Sequence, residues 1–186
     1  GQAGAGKTTL TEALLRQMGA VHELGDVEAG STVSDHEPAE QQQGHSLFNS
    51  VVHGDHEGIH VNLIDTPGTP DLMGQPVAAL PAVETVAVVI NASAGIEPMT
   101  RRLMQLAKER QLCRMIVINR IDAEHADLPE LLEEIKQTFG PECLPVNLPT
   151  GNATGTINCF TQREGESDLG PVADYHTAII DQVVEV

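Results

Sequence analysis

The sequence predicts an α/β fold, a mostly parallel sheet with helices on both faces. Three observations carry this. Apolar runs of strand length recur at residues 59–64, 86–91 and 113–118. Amphipathic helical patterns accompany them. Met99, Leu103, Leu106, Ala107 and Arg110 recur at helical spacing, and Leu128, Leu131, Leu132, Ile135 and Phe139 form one stripe. Finally, two of the apolar runs end in short polar segments, Asp65-Thr66-Pro67-Gly68 and Asn119-Arg120-Ile121-Asp122. Ligands of open α/β sheets bind beyond the carboxyl ends of strands, where both segments fall.

The chain opens on Gly1-Gln2-Ala3-Gly4-Ala5-Gly6-Lys7-Thr8. This stretch fits the phosphate-binding pattern G-x-x-x-x-G-K-S/T at every fixed position. Glycines let the backbone curl until several N–H groups point at one anion, and the following helix adds its positive end. In such a loop Lys7 reaches the β- and γ-phosphates and the Thr8 hydroxyl ligates Mg²⁺. The expected fold is therefore that of a P-loop NTPase. The loop specifies a nucleoside triphosphate but not its base.

The elements follow in order. Residues 8–18 read as a helix, with Leu10, Leu14 and Met18 at four-residue spacing beside Ala13. Residues 19–43 show no periodicity and carry glycines, acids and three consecutive glutamines, so a mobile loop is expected. Residues 46–52 and 59–64 read as strands around a hairpin turn at 53–58. Residues 78–84 read as a helix that Pro81 kinks or ends. Residues 86–91 form a strand, 99–111 a helix, 113–118 a buried parallel strand, and 128–139 a helix capped by Gly140. Residues 143–147 read as a strand and 155–160 as its partner. An acidic loop at 165–170 and a final helix at 172–186 complete the chain.

Two polar segments carry further chemistry. D-x-x-G is ordinary turn composition in isolation. After a strand and downstream of a phosphate loop, it places Asp65 to hold Mg²⁺ through a water and the Gly68 N–H to sense the γ-phosphate. At Asn119-Arg120-Ile121-Asp122, the Asp122 carboxylate can accept two hydrogen bonds from the guanine ring N–H and amino group. Adenine presents an acceptor at the ring position and would leave the carboxylate partly unpaired. Asn119 would brace the base and the loop.

Composition narrows the function classes. The 186 residues include 10 basic and 27 acidic side chains, for a net charge of −17. Such a surface argues against a direct grip on nucleic acid. Aromatics are scarce, with no Trp, one Tyr and three Phe, so the core is expected to be aliphatic. Cys113, Cys143 and Cys159 lack metal-type spacing, and the first two fall in apolar strand patterns where buried, reduced thiols are expected. His53, His56 and His60 cluster around one hairpin. Strand residues seven apart point to opposite faces, so solvated turn histidines are expected there. The acidic run at 124–134 lacks calcium-loop spacing and reads as a solvated helix face. No membrane-spanning pattern is visible, and the expected location is cytoplasmic.

In order, GQAGAGKTTLTEALL, DTPG and NRID resemble the GTP-binding domain of the elongation factor G family of translational GTPases. The segment Gly30-Ser31-Thr32-Val33-Ser34-Asp35 is similar to the same family and its paralogues. The segment Cys143-Leu144-Pro145-Val146-Asn147-Leu148-Pro149 resembles the strand that opens its inserted subdomain. The resemblance covers nearly the whole chain. It implies GTP or GDP and Mg²⁺ as ligands, the ribosome as partner through the full-length protein, and GTP hydrolysis that drives translocation. Nucleotide contacts are implied at Gly1, Gln2, Ala3, Gly4, Ala5, Gly6, Lys7, Thr8, Thr9, Asp65, Thr66, Pro67, Gly68, Thr69, Asn119, Arg120, Ile121 and Asp122. Metal contacts are implied at Thr8, Ser46 and, via water, Asp65. Catalytic roles fall to Lys7, Gly68 and Thr69. Residues 1–141 correspond to the GTP-binding core without its first strand, and 142–186 to part of the inserted subdomain. The fold is thus expected to be incomplete at both ends.

Three positions depart from the family pattern. Arg120 replaces the usual Lys of the base-reading motif, keeping the charge on a planar fork. Gln43-Gly44-His45-Ser46 stands where the family has Arg-Gly-Ile-Thr, and Ser46 preserves the ligating hydroxyl. Thr69 stands where the family has a water-positioning His. These departures point to a divergent paralogue of elongation factor G. Two alternatives remain: a non-hydrolysing GTP-dependent binding module, which Thr69 favours, and a ribosome-protection or release-factor relative.

Overall fold

Gly6 adopts a left-handed conformation (φ 84°) and turns the opening loop into helix α1, Lys7–Gln17. In this computed structural model residues 1–185 are described. They fall into two compact units: Gly1–Asn91 with Glu97–Asn119, and Ala92–Ile96 with residues 120–185.

Helix α1 lies where expected but turns a different face inward. Thr8, Thr11, Glu12 and Leu15 are buried, whereas Leu14 is 41% exposed. The inward face is mostly polar; Thr8 and Glu12 find hydrogen-bond partners there, and a hydrophobicity pattern does not register such pairs. Leu15→Ala should therefore destabilise the fold by about 2–5 kcal/mol, and Leu14→Ala by much less, as read from urea midpoints.

The segment expected to be a mobile loop is ordered. It contains helix α2, Pro38–Gln43, opened by a capping box between Glu37 and Glu40 and closed by Gly44 in the left-handed region (φ 68°). Thr32, Ser34, Asp35 and Glu40 are buried. One Glu40 carboxylate oxygen accepts the N–H groups of Leu47 (2.9 Å) and Phe48 (3.1 Å).

Strand β1 is Ser50–His56 and strand β2 is Ile59–Asp65, paired antiparallel with Val52 opposite Leu63 and His56 opposite Ile59. The strand expected at 46–52 is thus shifted, and the turn shrinks to Glu57 and Gly58, at φ 50° and 81°. Two consecutive positive φ values characterise the tightest hairpins. This register leaves the histidines solvated, as expected, but corrects their facing. His53 and His60 share one face with ring centroids 5.2 Å apart, and His60 Nδ1 lies 2.9 Å from Asp55 Oδ1. All three histidines are exposed.

Helix α3, Gly74–Ala79, begins earlier than expected, and Pro81 sits in the 3₁₀ turn Leu80–Ala82 that follows it. Strand β3, Thr85–Asn91, and strand β4, Cys113–Asn119, pair in parallel, and Asn91 lies opposite Asn119. Helix α4, Pro98–Glu109, packs on both and buries Met99, Leu103, Met104 and Ala107. Val88, Val89 and Ile90 of β3 are fully in the core. Gly1 lies so close to β3 that a Cβ there would collide with the Val89 carbonyl. Strand β4 is only half-buried, and Cys113 at its start is exposed rather than a core thiol.

In the second unit, helix α5, Leu128–Phe139, starts at Asp127, whose carboxylate accepts the Glu130 N–H at 3.0 Å. Leu131, Leu132 and Ile135 are its buried residues. Strand β5, Asn147–Thr150, pairs antiparallel with β6, Gly155–Asn158. The strand expected from residue 143 therefore begins at Asn147, and Cys143 precedes it, half-buried. The expected acidic loop holds a minimal hairpin, β7 (Glu166–Ser167) with β8 (Gly170–Pro171). Helix α6 is Val172–Glu185, and Val186 lies outside the described residues. Leu148, Cys159, Val172 and Ile179 form this unit's core. The buried thiol is thus Cys159, which burial pushes to a higher pKa. Among the described residues no helix is long and apolar enough to cross a membrane.

Candidate functional site

The opening loop is held from several sides. Gly4 and Gly6 take positive φ values of 69° and 84°, which side chains disfavour. The Lys7 ammonium donates to the Gln2 carbonyl at 2.9 Å. Gln2 is buried, and its side-chain oxygen accepts from the Thr100 hydroxyl at 2.9 Å, tying the loop to α4. At the end of β4, Asn119 Nδ2 donates to the Ala5 carbonyl at 2.9 Å. Gly6 faces that same amide, and any Cβ at residue 6 would collide with it. Asn119 is thus bonded to the loop it was expected to brace. Ala3, Gly4 and Thr9 are exposed, while Gly1 and Ala5 are buried.

In the first turn of α1, Thr8 joins a cluster of oxygen ligands. The Thr8 hydroxyl donates to Asp65 Oδ2 at 2.7 Å and lies 3.2 Å from the Ser46 hydroxyl. The three residues expected to serve a metal ion thus converge from α1, the end of β2 and the segment after α2. Buried Asp35 lies beside Ser46, whose hydroxyl favours its charged form against burial. Ser34 faces Asp65, yet its buried hydroxyl has no partner at full hydrogen-bonding geometry. Burial raises the pKa of both Asp65 and Asp35. Burial also lowers that of Lys7, against the pull of the two carboxylates. Hydroxyl and carboxylate oxygens are the donors a hard cation takes, so the set fits Mg²⁺.

Gly68 of D-x-x-G lies close against the opening loop. A Cβ at residue 68 would collide with the Lys7 ammonium and stand 2.7 Å from the Ala3 nitrogen. Pro67 is fully buried, and Thr66 and Thr69 are half-buried. Thr69 opens the 3₁₀ turn Pro70–Leu72 without a side-chain capping bond. Within the second unit, Arg120 is left-handed (φ 57°) and exposed, Ile121 is half-buried and Asp122 is exposed.

Sequence reasoning did not single out Asp35, Ser34, Glu12 or Glu40. Ser34 and Asp35 close the segment beginning at Gly30, which carried the family likeness but no assigned chemistry. Glu12 had no signal beyond being an acid in an ordinary helical pattern, and Glu40 none beyond being one of several acids in a segment without periodicity.

A family profile described as "Elongation factor Tu GTP binding domain" matches residues 1–185. The chain belongs to that family. It is a GTP-binding domain of the translational GTPases, with the α/β P-loop fold. The chain is 36% identical over 173 residues to peptide chain release factor 3 of Microcystis aeruginosa, covering 86% of this chain and 32% of that one. It is 35% identical over 195 residues to the Synechocystis protein of the same name, covering 97% and 36% respectively. A crystal structure of a Thermus thermophilus protein superposes with a TM-score of 0.87 at 32% identity, covering 99% of this chain and 30% of that one. The chain thus spans about a third of the length of these relatives.

Proposed function

We propose that this chain is the GTP-binding domain of a release-factor-type translational GTPase. It binds GTP with Mg²⁺ and hydrolyses it on the ribosome, in the cytoplasm. The convergence of Lys7, Thr8, Asp65 and Ser46 carries the nucleotide part of this reading. The relatives named peptide chain release factor 3 support the release-factor reading over one specific to elongation factor G. Residues 1–141 are assigned to the GTP-binding core and 142–186 to part of an inserted subdomain.

In this reading the backbone N–H groups of residues 1–6 and the Lys7 ammonium hold the phosphates. The hydroxyls of Thr8 and Ser46, with Asp65 through a water, hold Mg²⁺, which when bound neutralises charge on the transferring phosphoryl group. Gly68 presents its N–H to the γ-phosphate, and Asp122 reads the guanine edge. The base assignment has a direct test. GTP should bind far more tightly than ATP, and Asp122→Asn should shift preference from GTP to XTP by about tenfold or more. The amide's N–H₂ donates to the xanthine carbonyl, where the carboxylate paired with the guanine amino group. Competition binding with fluorescent nucleotide measures both. Equal affinity of the unaltered protein for ATP and GTP would overturn the assignment.

A further inference from the structure

Glu12 is a fully buried carboxylate that takes no part in the proposed chemistry. It stands one helical turn after Thr8, on the same buried face of α1. Both of its oxygens are engaged, and by distant segments. Oε2 accepts the Gly25 N–H at 3.0 Å and Oε1 the Val33 N–H at 2.7 Å. The two ends of the segment between residues 25 and 33 are thereby gathered onto the helix that starts at the phosphate loop. Gly25 fits this junction because it has no side chain. A Cβ there would stand 2.5 Å from the Thr32 Cα and 2.7 Å from Glu12 Oε2. The next two residues after the tethered Val33 are Ser34 and Asp35, buried against Asp65 and Ser46.

We propose that Glu12 is a positioning residue. Its two backbone hydrogen bonds fix residues 25–33 to α1 and so deliver Ser34 and Asp35 to the Thr8–Asp65–Ser46 cluster. The proposal rests on the nucleotide and metal reading of that cluster. A carboxylate suits the task because it accepts with both oxygens, whereas a glutamine amide accepts with one and presents a donor to the second N–H. Losing the tether should loosen the segment that serves the metal and leave the opening loop, held separately by Gln2 and Asn119, in place.

The test compares the full chain with Glu12→Gln and Gly25→Ala. The second variant disturbs the same junction from the loop side, without placing an amide in the core. Three readouts apply: amide hydrogen exchange of residues 25–35, the Mg²⁺ concentration needed for half-maximal GTP retention, and GDP affinity. Both variants should exchange about tenfold or more faster at residues 25–35 and need about tenfold more Mg²⁺, with GDP affinity changed less than twofold. Unchanged exchange and Mg²⁺ requirement in both would overturn the proposal. So would GDP affinity falling in proportion, which marks a purely structural role, or a Glu12→Gln chain that fails to fold alongside a Gly25→Ala chain that behaves like the parent. Failure of the parent protein to bind GTP at all would instead refute the functional reading, and the exchange readout would still judge the tether.

Discussion

Lys7→Ala is expected to lower GTP binding or hydrolysis by on the order of 10³-fold, equivalent to about 4 kcal/mol, while Cys143→Ser leaves both unchanged. The asymmetry follows from where the two side chains sit. Lys7 is the cation of the opening loop, bonded to the Gln2 carbonyl and pressed against Gly68. Burial weakens its hold on the proton, and Asp65 and Asp35 strengthen it, so the three groups form one balanced set. Removing the ammonium leaves two buried carboxylates without their counter-charge and takes away the charge that a polyphosphate needs. Added anionic phosphates then meet net repulsion. Cys143 is a half-buried residue of the second unit, outside any strand. Titration calorimetry with a non-hydrolysable GTP analogue, beside thermal melts to confirm folding, measures the difference. Comparable losses from both substitutions would show that Lys7 has no special relation to the phosphates.

The site was legible in the sequence where local backbone chemistry defines it. The glycines of the opening loop, Asp65 and Gly68 after β2, and Asn119 at the end of β4 each require a particular residue at a particular turn. Their spacing survives as a pattern in the chain. Ser46 was reachable only through family likeness, and the structure places its hydroxyl 3.2 Å from that of Thr8. Order in residues 19–43 was not legible. It depends on Glu12 and Glu40, whose partners lie between 3 and 21 residues away, and a composition rich in glycine and acids looks mobile without those bonds. The inward face of α1 was misread for the same reason. A buried Thr or Glu with its hydrogen bonds satisfied belongs to the core as firmly as a Leu, yet it enters a hydrophobicity pattern as surface. The hairpin error was one of facing. The strands run on to a turn at Glu57 and Gly58, and because the turn reverses the chain, counting parity along a single strand fails across it: His53 and His60, seven apart, stand on one face.

Thr69→His is expected to accelerate ribosome-stimulated GTP hydrolysis by on the order of 10²-fold, with GTP affinity changed less than twofold. Hydrolysis of this kind is governed by positioning and charge, and an in-line water needs a group to orient it. An imidazole at residue 69 reaches further than the Thr hydroxyl and offers a nitrogen that accepts from that water. The local structure tolerates the exchange. Thr69 is half-buried at the entry to the Pro70–Leu72 turn, its backbone is extended (φ −74°, ψ 131°), and its side chain makes no capping bond that a larger residue would forfeit. Affinity should hold because the phosphate-facing contact belongs to Gly68, whose place against Lys7 and Ala3 is set by the backbone. Single-turnover hydrolysis at saturating GTP, with and without ribosomes, compares the two forms. A slow parent protein accelerated by the imidazole means that this domain lacks its own water-positioning group. A slow parent that the imidazole does not improve favours a GTP-dependent binding module. A parent already fast with ribosomes, and unimproved by the substitution, would overturn the prediction. The positioning would then fall to a ribosomal group or to His45, which is exposed one residue before Ser46 with its Nδ1 3.2 Å from the Ser46 carbonyl.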